Sequence, residues 1–397
     1  MKKRISHNKS RNGCQNCKKR HVKCDEQGPP CAACIARDFT STCSYKTSPP
    51  AQDAGSSVVS TSTSNSETQN STPIVKKHTF DSRRLLELEL MHRWSTKTYE
   101  SLCSVPEDYH YLQIEVPRGA LRHDFLLHGV FAITALEMAL SGDPAKSPEY
   151  ICIAMEYYDW ASESFRAALC SVTSENQHYL YIFAIAATII NLAMPDENGN
   201  HLGGMLKRMV VLFELLMGAC SIAVLNFNWM LDSPFSPSLL SALSLMEKPA
   251  PEPISEATKQ AFEDLTSIID KLGKDEESRS HAAYKAVATK LHYCFKQESR
   301  GLIRGFCIAF PVLAGEEYTA AMRVQEPMAL FMLMYWGVLL NVLSDQAWWT
   351  AHIGRDLVSE ISDALLQLPP QSQFSTMPEW NAGISWARTE VGLEVFD

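Results

Sequence analysis

Six of the twelve cysteines lie within thirty residues, as Cys14-x2-Cys17-x6-Cys24-x6-Cys31-x2-Cys34-x8-Cys43. The run contains its own repeat, because Cys-x2-Cys-x6-Cys is followed by Cys-x2-Cys-x8-Cys. Two thiolates separated by two residues can grip one metal from a tight turn, as zinc sites commonly do. Tetrahedral zinc takes four ligands, so two zincs ask for eight where six sulfurs are present, and two sulfurs must bridge. Symmetry between the halves nominates the first cysteine of each, Cys14 and Cys31. Every coordination position is then sulfur, which leaves none open for water or substrate and makes the expected centre structural rather than catalytic. A disulfide scaffold is the rival reading, and it needs an oxidising compartment. The charged start MKKRISHNKSRNGC leads into no apolar stretch of the kind a secretory leader carries. An RNA-binding zinc knuckle is a third reading, but knuckles mix Cys with His and RNA modules use an aromatic stacking platform, which is missing here.

Between Cys17 and Cys24 runs Lys18-Lys19-Arg20-His21-Val22-Lys23, in which five of six side chains can donate to phosphate or base edges. Such a surface gains affinity by counterion release, and base contacts add discrimination. The matching stretch after Cys34, Ile35-Ala36-Arg37-Asp38-Phe39-Thr40-Ser41-Thr42, carries little charge. The first half is therefore expected to face double-stranded DNA and the second to complete the metal fold. The charge of the whole chain conceals this. It is −9 overall, yet residues 1–46 hold eleven Lys or Arg against three acids, a local +8 that leaves −17 elsewhere. A basic nucleic-acid module joined to an acidic body is the expected organisation.

Residues 47–79 include fourteen Ser or Thr and no aromatic residue. They read as a disordered, flexible linker. From residue 80 the texture is helical: Asp124–Leu140, Ser147–Leu169, Gln177–Met194, Met205–Leu216, Glu256–Leu272, His281–Cys294, Pro327–Leu343 and Ile353–Leu368 show helix-type patterning. A loop rich in proline (Pro234, Pro237, Pro249, Pro251, Pro253) is expected to break the body near its middle. Residues 80–397 thus form one large all-α regulatory domain, after a small two-zinc cluster domain at 1–46. The apolar stretches Leu180–Met194 and Met328–Leu343 fall short of the ~20 residues of a membrane span, so no span is expected. The other cysteines, Cys103, Cys152, Cys170, Cys220, Cys294 and Cys307, are expected as buried core thiols. No heptad follows the cysteine module to make a coiled-coil dimer, although a homodimer built otherwise is compatible with the sequence. There is no Gly-x-Ser-x-Gly, no His-Glu-x-x-His and no phosphate-binding glycine loop, so an enzyme is not expected.

Arg11-Asn12-Gly13-Cys14-Gln15-Asn16-Cys17-Lys18-Lys19-Arg20-His21-Val22-Lys23-Cys24-Asp25-Glu26, followed by Pro29-Pro30-Cys31, resembles the fungal two-zinc, six-cysteine binuclear cluster family. The resemblance implies a nuclear transcription factor that binds two zinc ions per chain through all six cysteines, with Cys14 and Cys31 as bridges. It further implies a short first helix in the major groove at CGG-like triplets. Arg20 and His21 would read bases, Lys18 and Lys23 would hold phosphates, and Lys19 belongs to the same basic helix. His21 stands where the family usually has Lys or Arg, with less charge near neutral pH and a shorter reach to a guanine edge.

A second resemblance covers the body. Glu87-Leu88-Glu89-Leu90-Met91-His92-Arg93-Trp94, His123-Asp124-Phe125-Leu126-Leu127-His128-Gly129-Val130, Trp348-Trp349 and Trp380-Asn381-Ala382-Gly383-Ile384-Ser385-Trp386 look like the sterol-uptake-control type of zinc-cluster regulator. That type implies a helical regulatory domain whose sterol-responsive members hold a sterol in an apolar pocket. Phe306, Phe310, Met328, Phe331, Met332 and Tyr335 are the candidate lining, their alternative role being the packing of a helical core. The expected function is regulation of a metabolic gene set, as a pathway-specific regulator of a biosynthetic gene cluster, with a sterol- or lipid-responsive regulator as the alternative.

Overall fold

The computed structural model describes residues 13–20, 22–27, 30–37, 42–45, 79–195, 204–247, 254–272, 279–297, 303–369 and 372–395. The chain divides into two compact units, Met1–Ile74 and Val75–Asp397. The first holds two short helices, α1 (Gln15–Lys19) and α2 (Ala32–Ile35). The expected linker, up to residue 78, lies outside the described residues.

The second unit begins with α3 (Thr79–Thr96) and the short α4 (Asp108–His110) and α5 (Val116–Ala120), joined by a π turn at Tyr111–Glu115. It continues through α6 (Asp124–Ser141), α7 (Ser147–Leu169), α8 (Gln177–Ala193), α9 (Gly204–Leu225), α10 (Phe227–Leu231) and α11 (Ser236–Glu247). The last six are α12 (Glu256–Leu272), α13 (Arg279–Lys296), α14 (Ile303–Arg323), α15 (Pro327–Val342), α16 (Ile353–Leu366) and α17 (Pro378–Glu390). No strand occurs among the described residues. Two of the prolines expected to break the chain instead sit at a helix entrance. Pro234 precedes α11 and Pro237 occupies its first turn, where a missing N–H costs nothing.

Apolar patterning explains the layering. Every residue from Met328 to Leu340 on α15 is buried, so this helix, apolar all round, forms the centre of the core. α12 is one-sided: Ala261, Phe262, Leu265, Ile268 and Ile269 face inward at helical spacing. α6 packs on α7 and α8, and α16 on α15. At the α15–α16 crossing, a Cβ on Gly354 would lie 2.5 Å from the Gly337 carbonyl oxygen and 2.3 Å from the Asn341 nitrogen. Only glycine lets these two backbones approach so closely.

α14 contains Pro311, which cannot donate to the Cys307 carbonyl one turn earlier. Trp336 Nε1 donates to that oxygen at 3.1 Å instead, so the buried acceptor is satisfied. Four residues on, Gly315 adopts φ 85°, and the helix breaks there. One buried charge ties α3 to α6. Glu137, 2% exposed, accepts two 2.9 Å hydrogen bonds from the Arg93 guanidinium, and this fork–fork pairing offsets its desolvation.

Phe310, Met328, Phe331, Met332 and Tyr335 are each at most 1% exposed within the packed core, and Phe331 stacks on Trp380 at 4.2 Å between ring centroids. The Phe306 side chain lies outside the described residues. Of the six scattered cysteines, Cys103, Cys294 and Cys307 are buried, but Cys152 and Cys170 are exposed and Cys220 is intermediate. Finally, among the described residues three helices are long and apolar enough to cross a membrane by length and composition alone: Asp124–Ser141, Gly204–Leu225 and the segment Pro327–Asp345. The first and third are mostly inside the fold, at 67% and 78% buried, whereas Gly204–Leu225 is 28% buried.

Candidate metal centre and nucleic-acid interface

All six cysteines of the N-terminal run are buried and unoxidised, and they converge on one point. They form two groups of four, Cys14, Cys17, Cys24, Cys31 and Cys14, Cys31, Cys34, Cys43, with the ligand atoms in each group within 4.8 Å of one another. Cys14 and Cys31 belong to both groups. The Sγ atoms of Cys14 and Cys31 are 3.8 Å apart, those of Cys14 and Cys34 3.8 Å, and those of Cys17 and Cys31 3.6 Å. Four sulfurs each about 2.3 Å from a zinc stand about 3.8 Å from one another. The cysteines therefore fit two sulfur tetrahedra that share an edge.

The backbone repeats across that shared edge as the sequence does. Cys14 N–H donates to Cys24 Sγ at 3.4 Å, and Cys31 N–H donates to Cys43 Sγ at 3.4 Å. Each shared position also precedes a helix: Cys14 caps α1, its sulfur accepting from Cys17 N–H at 3.4 Å, and Cys31 begins α2. Amides turned toward sulfur favour the thiolate, and each cysteine is oriented by the helix it starts. Without a cation, burial and neighbouring sulfurs oppose this charge, pushing the Cys17 thiol up and the Cys34 thiol up to about 12. Six sulfurs crowded in this way need a cation to remain thiolates together.

Several side chains hold the two halves together that spacing alone did not reveal. Asp25 accepts from Ala32 N–H at 3.0 Å and so caps α2 from the first half. Asn16 donates to Thr42 Oγ1 at 2.8 Å, Gln15 N–H donates to the Ser44 carbonyl at 2.8 Å, and the Tyr45 hydroxyl meets Cys24 Sγ at 3.5 Å. The only sequence signal for them was position, close to a ligand cysteine.

The basic residues lie on the outside of this centre. Lys18 and Lys19 form the last turn of α1 and are exposed, where the helix dipole favours cations. Arg20 caps the helix, its N–H directed to the Asn16 and Lys18 carbonyls, and is half-exposed. His21 lies outside the described residues. Lys23 follows, exposed, on an extended segment held back by Val22 N–H to the Cys17 carbonyl at 3.1 Å. The second half presents Ile35 and Arg37 to solvent, without a comparable lysine cluster.

Residues 12–52 match the family model of the fungal Zn(2)-Cys(6) binuclear cluster domain. The N-terminal module is a zinc binuclear cluster domain. Such a domain binds two zinc ions, in agreement with the paired sulfur tetrahedra. A Zn(2)-C6 fungal-type transcription factor, afumD of Aspergillus fumigatus, is 31% identical over 177 residues, 43% of this chain and 43% of its own length. Sterol uptake control protein 2 of Candida albicans is 69% identical over 32 residues, 8% of this chain and 4% of its own. The protein of the same name from Saccharomyces cerevisiae is 66% identical over 32 residues. The chain spans under half the length of these curated relatives.

Proposed function

We propose that this chain is a nuclear, sequence-specific transcription factor that binds double-stranded DNA through its zinc cluster domain. Cys14, Cys17, Cys24, Cys31, Cys34 and Cys43 hold two zincs, with Cys14 and Cys31 bridging. Zinc supplies only rigidity, because sulfur fills each tetrahedron. The supporting observation is that Lys18, Lys19 and Lys23 stand exposed around a helix whose inner face is fastened to the sulfur centre. A short helix fixed in this way can enter a major groove without first ordering itself. Arg20 and His21 then read base edges at CGG-like sites while the lysines neutralise phosphates.

The body carries the regulatory role, and the genes controlled form a metabolic set, here assigned to a biosynthetic gene cluster. The likeness to the Aspergillus transcription factor extends over 177 residues, well beyond a zinc cluster, whereas the likeness to the sterol uptake control proteins covers 32. The sterol reading thus rests on a segment no longer than a zinc cluster domain, and the pathway-specific regulator is kept as the proposal. Genome-wide mapping of bound sites tests the reading, because it yields motif, half-site spacing and regulated genes together. Sites without a CGG-like element, or tighter binding to single-stranded RNA than to duplex DNA in a paired assay, would overturn it.

A further inference from the structure

The helical unit contains a cavity of about 270 Å³, bordered on one side by Gly305, Ile308 and Ala309, which flank the expected Phe306 and Phe310. Its walls come from α8 (Tyr181, Ile185), α11 (Ser238), the start of α14 (Ile308), and the rings of Tyr111 and Trp349. Most polar groups around it are already engaged. The Asp108 carboxylate accepts from the Ser104 and Val105 amides at 2.7 and 3.0 Å. The Tyr111 hydroxyl meets His178 Nδ1 at 2.8 Å, and Trp94 and Trp349 donate to the carbonyls of Leu112 and Ser101. Ser238 differs. It is 2% exposed, it lines the cavity, and its hydroxyl has no hydrogen-bond partner. A buried hydroxyl left unpaired is costly, and native proteins rarely keep one beside an empty space.

We infer that this cavity is a binding site for a compact, neutral, largely apolar molecule whose single oxygen pairs with Ser238. Size suggests the class: a dry cavity of roughly 150 Å³ accommodates one benzene ring, so this volume matches about two fused rings and falls short of the four of a sterol. The absence of an unpaired charge on the walls excludes ionic ligands, whose desolvation nothing here would offset. The inference concerns binding by the chain and does not depend on which DNA sequence is read.

The test is calorimetric titration of the full-length, zinc-loaded protein with three probes: 2-naphthol, naphthalene and ergosterol. The expected result is that 2-naphthol binds about five- to tenfold more tightly than naphthalene, the worth of one hydrogen bond, and that ergosterol does not compete. Ser238→Ala should bring 2-naphthol down to the affinity of naphthalene and leave naphthalene unchanged. Ala309→Phe, which fills the cavity from α14, should abolish binding of both while thermal unfolding shows the fold retained. No binding of 2-naphthol to the parent protein overturns the inference. So does binding that folded Ala309→Phe leaves intact, equal affinity for the two probes, or displacement by ergosterol.

Discussion

Among the described residues, the buried centre around the six cysteines is sulfur, with Ala33 and Tyr45 packed against it. The helical unit closes instead on large apolar side chains, Trp336, Trp349, Trp380, Phe331 and Tyr335 among those fully buried. A core as small as the first cannot offset chain entropy by area alone, so its folding free energy is a metal-binding free energy. In the second, stability is spread over many helices, and any one contact is a small part of the whole. One unit is governed by ligand chemistry and pH, the other by close packing.

Removing zinc should give the largest effect. Chelation forfeits a binding term of about 10–16 kcal/mol, so DNA binding should be lost while the far-ultraviolet signal of the helical unit persists. Circular dichroism and a mobility-shift assay read the two outcomes separately; loss of the helical signal would break the contrast. Within the cluster, Cys14→Ser removes a sulfur common to both tetrahedra and Cys43→Ser removes one from a single tetrahedron. Elemental analysis should find the lower zinc content in Cys14→Ser. In the body, Gly354→Ala drives a methyl into backbone of α15 and should cost about 1–3 kcal/mol. Denaturant melts should show that cost with zinc content unchanged.

A smaller, pH-dependent effect belongs to His178. Burial, aided by the positive neighbourhood of His123 and Arg122, lowers its pKa to about 4. The unfolded chain therefore binds a proton that the folded chain refuses between about pH 6.5 and 4. Its contribution to stability is full above pH 6.5 and declines by up to about 3 kcal/mol as the pH falls through that window. Urea melts of the helical unit at pH 7 and pH 5 measure it, and a flat profile would refute the assignment. Smallest of all, Lys18→Ala should weaken binding to every DNA sequence alike and reduce the salt slope by about 0.9. His21→Ala should mainly alter sequence preference; equal losses for both variants across a panel of duplexes would remove the division between phosphate and base contacts.

The two units also differ in how much of them the sequence discloses. Metal geometry leaves few arrangements for six cysteines, and the internal repeat in spacing reappears as the paired amide-to-sulfur contacts of Cys14 and Cys31. The proposed bridging by Cys14 and Cys31 came with symmetry as well as family resemblance, and the proposed base reading by Arg20 and His21 with resemblance alone. In the body, Pro327–Leu343 was legible because it is apolar all round, and the helix there ends at Val342. α11 was hidden by Pro237, whose meaning depends on whether a helix begins or continues at that point. The cavity was not legible in the sequence for a deeper reason. Methionine and aromatic rings mark both a filled core and a lined pocket, and only the spacing of backbones decides whether the volume between them is occupied. Ser238, the residue that marks the cavity, is an ordinary serine in sequence.

Pro311 and Trp336 carry one more consequence. The indole nitrogen of Trp336 occupies the position that a backbone amide would fill if residue 311 were not proline. The two side chains are thus substitutes for a single missing donor, contributed from different helices. Trp336→Phe should be tolerated better once residue 311 has regained its amide, because the Cys307 carbonyl then keeps a donor, and the two substitutions should be non-additive.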